Sequence, residues 1–193
     1  MKNVQVFNQD LSKWCTPADL TEAFVGTSCV DDCGVNKGAL DDTSIRTAVA
    51  KWISNQAEAT GTYGHISAWC TSKVTDMSNL FENQQSFNDD ISDWNVGAVT
   101  DMMDMFADAV AFNQDVGKWN VSAVTDMSVM FNEAKAFNQD IGDWDVAAVT
   151  NMHGLFKGAS VFNQDLSKWC TTCLLYTSPS PRDLSTSRMP SSA

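Results

Sequence analysis

A constant step of 25 residues constrains this chain more than any other feature of it. From Val74 the pattern VTDMSNLFENQQSFNDDISDWNVGA is followed by VTDMMDMFADAVAFNQDVGKWNVSA, by VTDMSVMFNEAKAFNQDIGDWDVAA and by VTNMHGLFKGASVFNQDLSKWCTT, with no insertion or deletion. Met77, Met102, Met127 and Met152 share one column; Phe81, Phe106, Phe131 and Phe156 share another. Phe87, Phe112, Phe137 and Phe162 form a third, and Trp94, Trp119, Trp144 and Trp169 a fourth. Units of this size cannot bury an apolar face alone and do so by stacking on their neighbours. The expectation is a solenoid whose aromatic and methionine columns pile into one spine.

Each unit reads in three parts. FNQDIGDW has the Phe, Ile and Trp content of a short, half-buried strand. Residues 120–126 hold a turn and a second, very short strand at VTDM. MSVMFNEA places Met127, Met130, Phe131 and Ala134 at helical spacing, as one or two helical turns. Stacking would pair equivalent strands in parallel about 4.8 Å apart. The fold class expected is therefore an α/β repeat with short parallel strands and short helical turns.

Upstream, residues 42–61 carry Ile45, Ala48, Val49, Trp52 and Ile53 on one helical stripe. Asp42 or Thr43 is the expected N-cap, and Gly61 lies just past the expected end. A first coil has no predecessor to cover it, so this amphipathic element is expected to be the N-terminal capping helix. Residues 62–173 are then the repeat array, entered through YGHISAW at 63–69 as a degenerate half-repeat.

The remaining stretches are organised around the same period. Val6–Thr16 repeats Val161–Thr171 residue for residue, so residues 1–15 are expected to be the tail of a preceding array, with any export signal lying upstream. Residues 16–41, with Pro17, Gly26, Gly34 and Gly38, read as a cysteine-containing cap or linker. Residues 174–193 are rich in Ser, Thr and Pro without apolar periodicity and resemble translated cloning sequence, so they are expected to be disordered and non-native.

A net charge of −12 with no basic cluster argues against nucleic acid and anionic membranes as partners and favours a cationic or uncharged protein. No apolar run reaches the length of a membrane span. Cysteines occur only near array ends and in the linker, which suggests disulfides among Cys15, Cys29, Cys33 and Cys70 and an oxidising, extracellular setting. Three pairings of these four are possible.

Catalytic chemistry finds little support. His65 and His153 lie near no nucleophile motif, no phosphate-binding Gly loop is present, and no cofactor or metal is expected. The columns Asp76, Asp101, Asp126, Asn151 and Asn113-Gln114-Asp115 with their copies admit a calcium ladder, but such residues in stacked turns more simply satisfy backbone groups. Variation between copies points instead to a binding surface. Asp93, Lys118, Asp143 and Lys168 occupy one column and alternate in sign, so they are the candidate contact residues of a non-enzymatic module.

The units VTDMSxMF and FNQDIxxWDV resemble the BspA-like leucine-rich-repeat surface proteins, in the group known as domain of unknown function 285. That resemblance implies a right-handed, leucine-rich-repeat-like solenoid, secreted or displayed at the cell surface and used for adhesion or protein recognition. A structural spacer in a larger surface protein, or the repeat arm of an enzyme, are the alternatives.

Overall fold

The computed structural model describes residues 38–169. Asp41 starts helix α1 (Asp42–Ser54), its side chain accepting from the amides of Thr43 and Ser44 while Ser44 Oγ accepts from the Asp41 amide. The N-cap is thus one residue earlier than the sequence suggests. Ile45, Ala48, Val49 and Trp52 are buried along one stripe, whereas Ile53 is 41% exposed. Asn55 ends α1 and its side chain caps α2 (Gln56–Tyr63), so the expected single helix is two, and Gly61 lies inside the second. Lys51 and Glu58 bridge them at 2.9 Å.

After a single 3-10 turn at Ile66–Ala68, the chain runs through four coils of the 25-residue pattern. These coils contain neither strand nor helix among the described residues, which overturns the α/β solenoid with parallel strands and helical turns. Parallel pairing is confined to isolated bridges, Asp76 with Asp101, Asp101 with Asp126 and Asp126 with Asn151.

The reason lies in where the amide groups go. In FNQDIGDW, read as a strand, the Asn138 amide donates to the Asn113 side chain, Gly142 to Asp140 Oδ1, and Trp144 to the Ile141 carbonyl, leaving too few for a ladder. In MSVMFNEA, read as helix, Met130, Asn132 and Ala134 donate to carbonyls three residues back. Met127, Val129, Phe131 and Glu133 donate instead to Asn151, His153, Leu155 and Lys157 of the next coil. The result is a ribbon of overlapping β-turns. It bonds to its neighbour through every second amide at 2.7–3.0 Å, always with the N–H on the earlier coil and the C=O on the later.

Such a ribbon needs a left-handed residue at every fourth position, and no α-helix survives that. Asn79 and Asn83 supply it in the first coil, Asp104 and Asp108 in the second, Val129 and Glu133 in the third, Gly154 and Gly158 in the fourth. Asn, Asp and Gly reach this region at modest cost; Val129, at φ 62°, does so under strain because its branched side chain crowds the backbone.

The predicted spine is present in the core. Phe81, Phe106, Phe131 and Phe156 stack with ring centroids 5.6–5.8 Å apart, and the second Phe column runs beside it at 3.9–4.1 Å. Trp94, Trp119 and Trp144 are buried, and each indole N–H donates to the carbonyl 28 residues earlier, at Ile66, Ile91 and Val116. A Trp indole buried without a partner would be costly. The coil-to-coil carbonyl supplies one in every copy.

Candidate functional site

The face that carries the predicted contact residues is built by three side-chain-capped turns per coil. Asp90, Asp115, Asp140 and Asp165 each accept the amide two residues on, from Ser92, Gly117, Gly142 and Ser167, at 2.8–3.0 Å. Asn95, Asn120 and Asp145 do the same for Gly97, Ser122 and Ala147. Between these two columns lie Asp93, Lys118, Asp143 and Lys168, while the tryptophans beside them point inward. All three columns are exposed in every described coil. Asp76, Asp101, Asp126 and Asn151 cap the ribbon in the same way.

The candidate calcium columns are therefore occupied with main-chain amides. Among the described residues no group of three or more His, Cys, Asp or Glu is arranged to hold a metal ion. A second polar column ties coils together: Asn88, Asn113 and Asn138 accept the amide 25 residues on, and Gln114, Gln139 and Gln164 donate to the backbone carbonyls of those same asparagines. His65 fills the position of Asp90 one coil earlier and caps the same turn, its Nδ1 accepting from the Ser67 amide at 3.3 Å.

Of the four predicted contact residues, the structure joins two. Lys168 Nζ meets Asp143 Oδ1 at 2.5 Å across neighbouring coils, and that hydrogen bond with its charge raises the Lys168 pKa above its ordinary value. Asp93 and Lys118 make no ion pair among the described residues. The adjoining column, Asp90, Asp115, Asp140 and Asp165, is the same in every copy, so variation between copies does not single it out. Ser167 amide and hydroxyl bonds hold Asp165 below the usual carboxylate range, and those of Ser92 do so for Asp90. Both therefore remain ionised near neutral pH. Seven carboxylates (Asp90, Asp93, Asp115, Asp140, Asp143, Asp145, Asp165) against Lys118 and Lys168 give the face an acidic character.

Cys70 is disulfide-bonded. Cys15, Cys29 and Cys33 lie outside the described residues.

A unit this regular can be compared with known families directly. Residues 48–172 match the model of the family described as Mycoplasma protein of unknown function, DUF285. The chain belongs to that family. The match includes every contact-column residue named above and the four complete or near-complete DUF285 coils, and it begins inside α1. No curated protein and no solved structure matches the chain. No helix among the described residues is long and apolar enough to cross a membrane.

Proposed function

We propose that the chain is a non-enzymatic recognition module, secreted or displayed at the cell surface, whose partner is a protein bearing a cationic or uncharged patch. The observation that carries this reading is the separation of roles within each coil. The Trp and Phe columns are constant and buried, save the half-buried Phe156 and Phe162 of the last coil, whereas the Asp93, Lys118, Asp143 and Lys168 column stands exposed on a backbone fixed by hydrogen bonds from coil to coil. Side chains there can change without cost to the core, and a partner meets them at a regular step. The resemblance of the units to BspA-like surface proteins supports the surface setting, as does the disulfide at Cys70, since such bonds persist in oxidising compartments.

The Lys168–Asp143 pair favours a second reading, in which the column stabilises its own surface and the module is a spacer. Capture from surface extracts on the immobilised full chain separates the two. The recognition reading expects a bound protein that is lost when Asp93, Lys118, Asp143 and Lys168 are all replaced by Ala. The same protein is expected to stay bound when the exposed ribbon residues Gln85 and Lys135 are replaced instead. Equal capture by both variants, or none by the parent, would sink it.

A further inference from the structure

One turn on the contact face differs from its copies in a way that neither core nor ladder requires. Asn120-Val121-Ser122 is the chain's only Asn followed two residues later by Ser or Thr. At the equivalent place the first coil has Asn95-Val96-Gly97 and the third Asp145-Val146-Ala147. All three fold into the same side-chain-capped turn, so the serine is not needed to make it.

What the serine adds is a hydroxyl aimed at the amide. Ser122 Oγ donates to Asn120 Oδ1 at 2.7 Å while the Ser122 amide donates to the same oxygen at 3.2 Å. Both residues are exposed, and Val121 between them is buried, which pins the turn to the stack. Asn120 Nδ2 donates no hydrogen bond among the described residues. An Asn-x-Ser triplet with its hydroxyl on the Asn carboxamide, its nitrogen uncommitted and its middle residue other than proline is an acceptor for N-linked sugar on a secreted protein.

We propose that Asn120 is an N-glycosylation site, modified by an oligosaccharyl transferase that uses a lipid-pyrophosphate-linked oligosaccharide. In the transfer a bond forms between Asn120 Nδ2 and the anomeric carbon of the sugar. The bond from that carbon to the pyrophosphate oxygen breaks, the lipid pyrophosphate leaves with the electron pair, and one Nδ2 proton passes to the enzyme's base. The glycan then stands two residues from Lys118, in the middle of the contact face. This proposal rests on the surface reading for the compartment in which it would occur.

The test is expression of the full chain behind an export leader in cells that carry the transferase, with an exported reporter bearing a known acceptor as control. Intact mass before and after peptide N-glycosidase should show one glycan per chain. It should be lost in Asn120→Gln and Ser122→Ala and kept in Ser122→Thr. Gly97→Ser should add a second glycan, because it places a hydroxyl at the matching turn; a Cβ there lies 3.3 Å from Asn95 Oδ1. Asp145→Asn combined with Ala147→Ser should do the same in the third coil, should Gly97→Ser fail to fold. An unmodified parent chain beside a modified reporter, or a glycan that survives Asn120→Gln, would overturn the assignment. The surface reading is read separately, by the capture experiment performed with the Asn120→Gln chain.

Discussion

The interior junctions between coils and the junction between α1 and the first coil solve the same problem with different chemistry. Inside the array, the amide and hydroxyl of Thr100 both donate to the Thr75 carbonyl of the preceding coil, and Thr125 and Thr150 repeat this. Thr75 has no preceding coil, and its amide and hydroxyl donate to the two oxygens of Asp42, at 2.7 and 2.8 Å. Inside, the carbonyl of Met103 accepts the Asn79 amide; at the end, the equivalent carbonyl of Ser78 accepts from Arg46 at 2.7 Å. Gln114, Gln139 and Gln164 are donors, but Asp89 in that column is an acceptor, taking the Trp52 indole and the Gln56 amide. A carboxylate and a guanidinium one helical turn apart thus replace a missing carbonyl and a missing amide. Backbone need not be matched by backbone if side chains of the right sense stand in the right register.

If that equivalence holds, the two junctions should differ in what breaks them. The largest effect belongs to the interior. Phe131 is fully buried and stacks on Phe106, Phe137 and Phe156, so Phe131→Ala should cost about 3–5 kcal/mol in denaturant unfolding. The half-buried Phe162 should cost clearly less. Equal losses would mean the spine is not the source of stability.

At the helix junction the corresponding effect is polar and smaller. Asp42→Ala removes the acceptor for Thr75 and for the Asp76 amide, both within reach of water, and should cost roughly 1 kcal/mol. Amide hydrogen exchange should speed up at Thr75 and Asp76 and stay unchanged at Thr125. Faster exchange throughout the array would show that the helix holds more than the first coil.

A third change should stabilise the interior. Val129→Asn places at φ 62° the residue type that Asn79 already supplies in the same column two coils earlier, and should gain about 1 kcal/mol in the same measurement. A loss would mean that Val129 contributes more by packing than its backbone forfeits.

The smallest effects concern pH. Burial alone would raise Asp42, Asp76 and Asp126. Hydrogen bonds override it: from Thr75 and Asp76 to Asp42, from Ser78 and Arg46 to Asp76, and from Ser128 and Asn151 to Asp126. All three sit below 3.8, so their contribution is present above that value and is lost as pH falls through the lower folded values. Asp104 runs the other way: burial, then Glu82 and Asp126, raise it above 3.8. Its ionisation opposes folding, and Asp104→Asn should therefore gain a few tenths of a kcal/mol, roughly, at pH 7 and nothing once both forms are neutral in acid. A gain that persists below the carboxylate range would assign the effect to Asn in a left-handed turn instead.

What the sequence disclosed and what it hid follow from the same residues. The period located the Phe and Trp spine because burial depends on side-chain type and spacing, and both repeat. The strand and helix readings failed because Phe, Ile and Trp suit a strand, and Met127, Met130, Phe131 and Ala134 suit a helix, equally well when the backbone is a ribbon of turns. The cue lay in the column Asn79, Asp104, Val129 and Gly154, whose Asn, Asp and Gly members share a tolerance for positive φ, and which Val129 obscures. Ile53 satisfied the helical stripe but is exposed in the last turn of α1. The column of Asp93, Lys118, Asp143 and Lys168 was legible as variation between copies, though not that Lys168 and Asp143 would pair.

Because every second ribbon amide donates to the later coil, and the carbonyls that receive these bonds face the earlier one, a whole 25-residue unit inserted or removed inside the array meets the same docking edges as before. A fraction of a unit meets the wrong ones. Lengthening and shortening in this family should thus proceed by complete copies, and a chain engineered to five or three coils should melt cooperatively where one of four and a half does not.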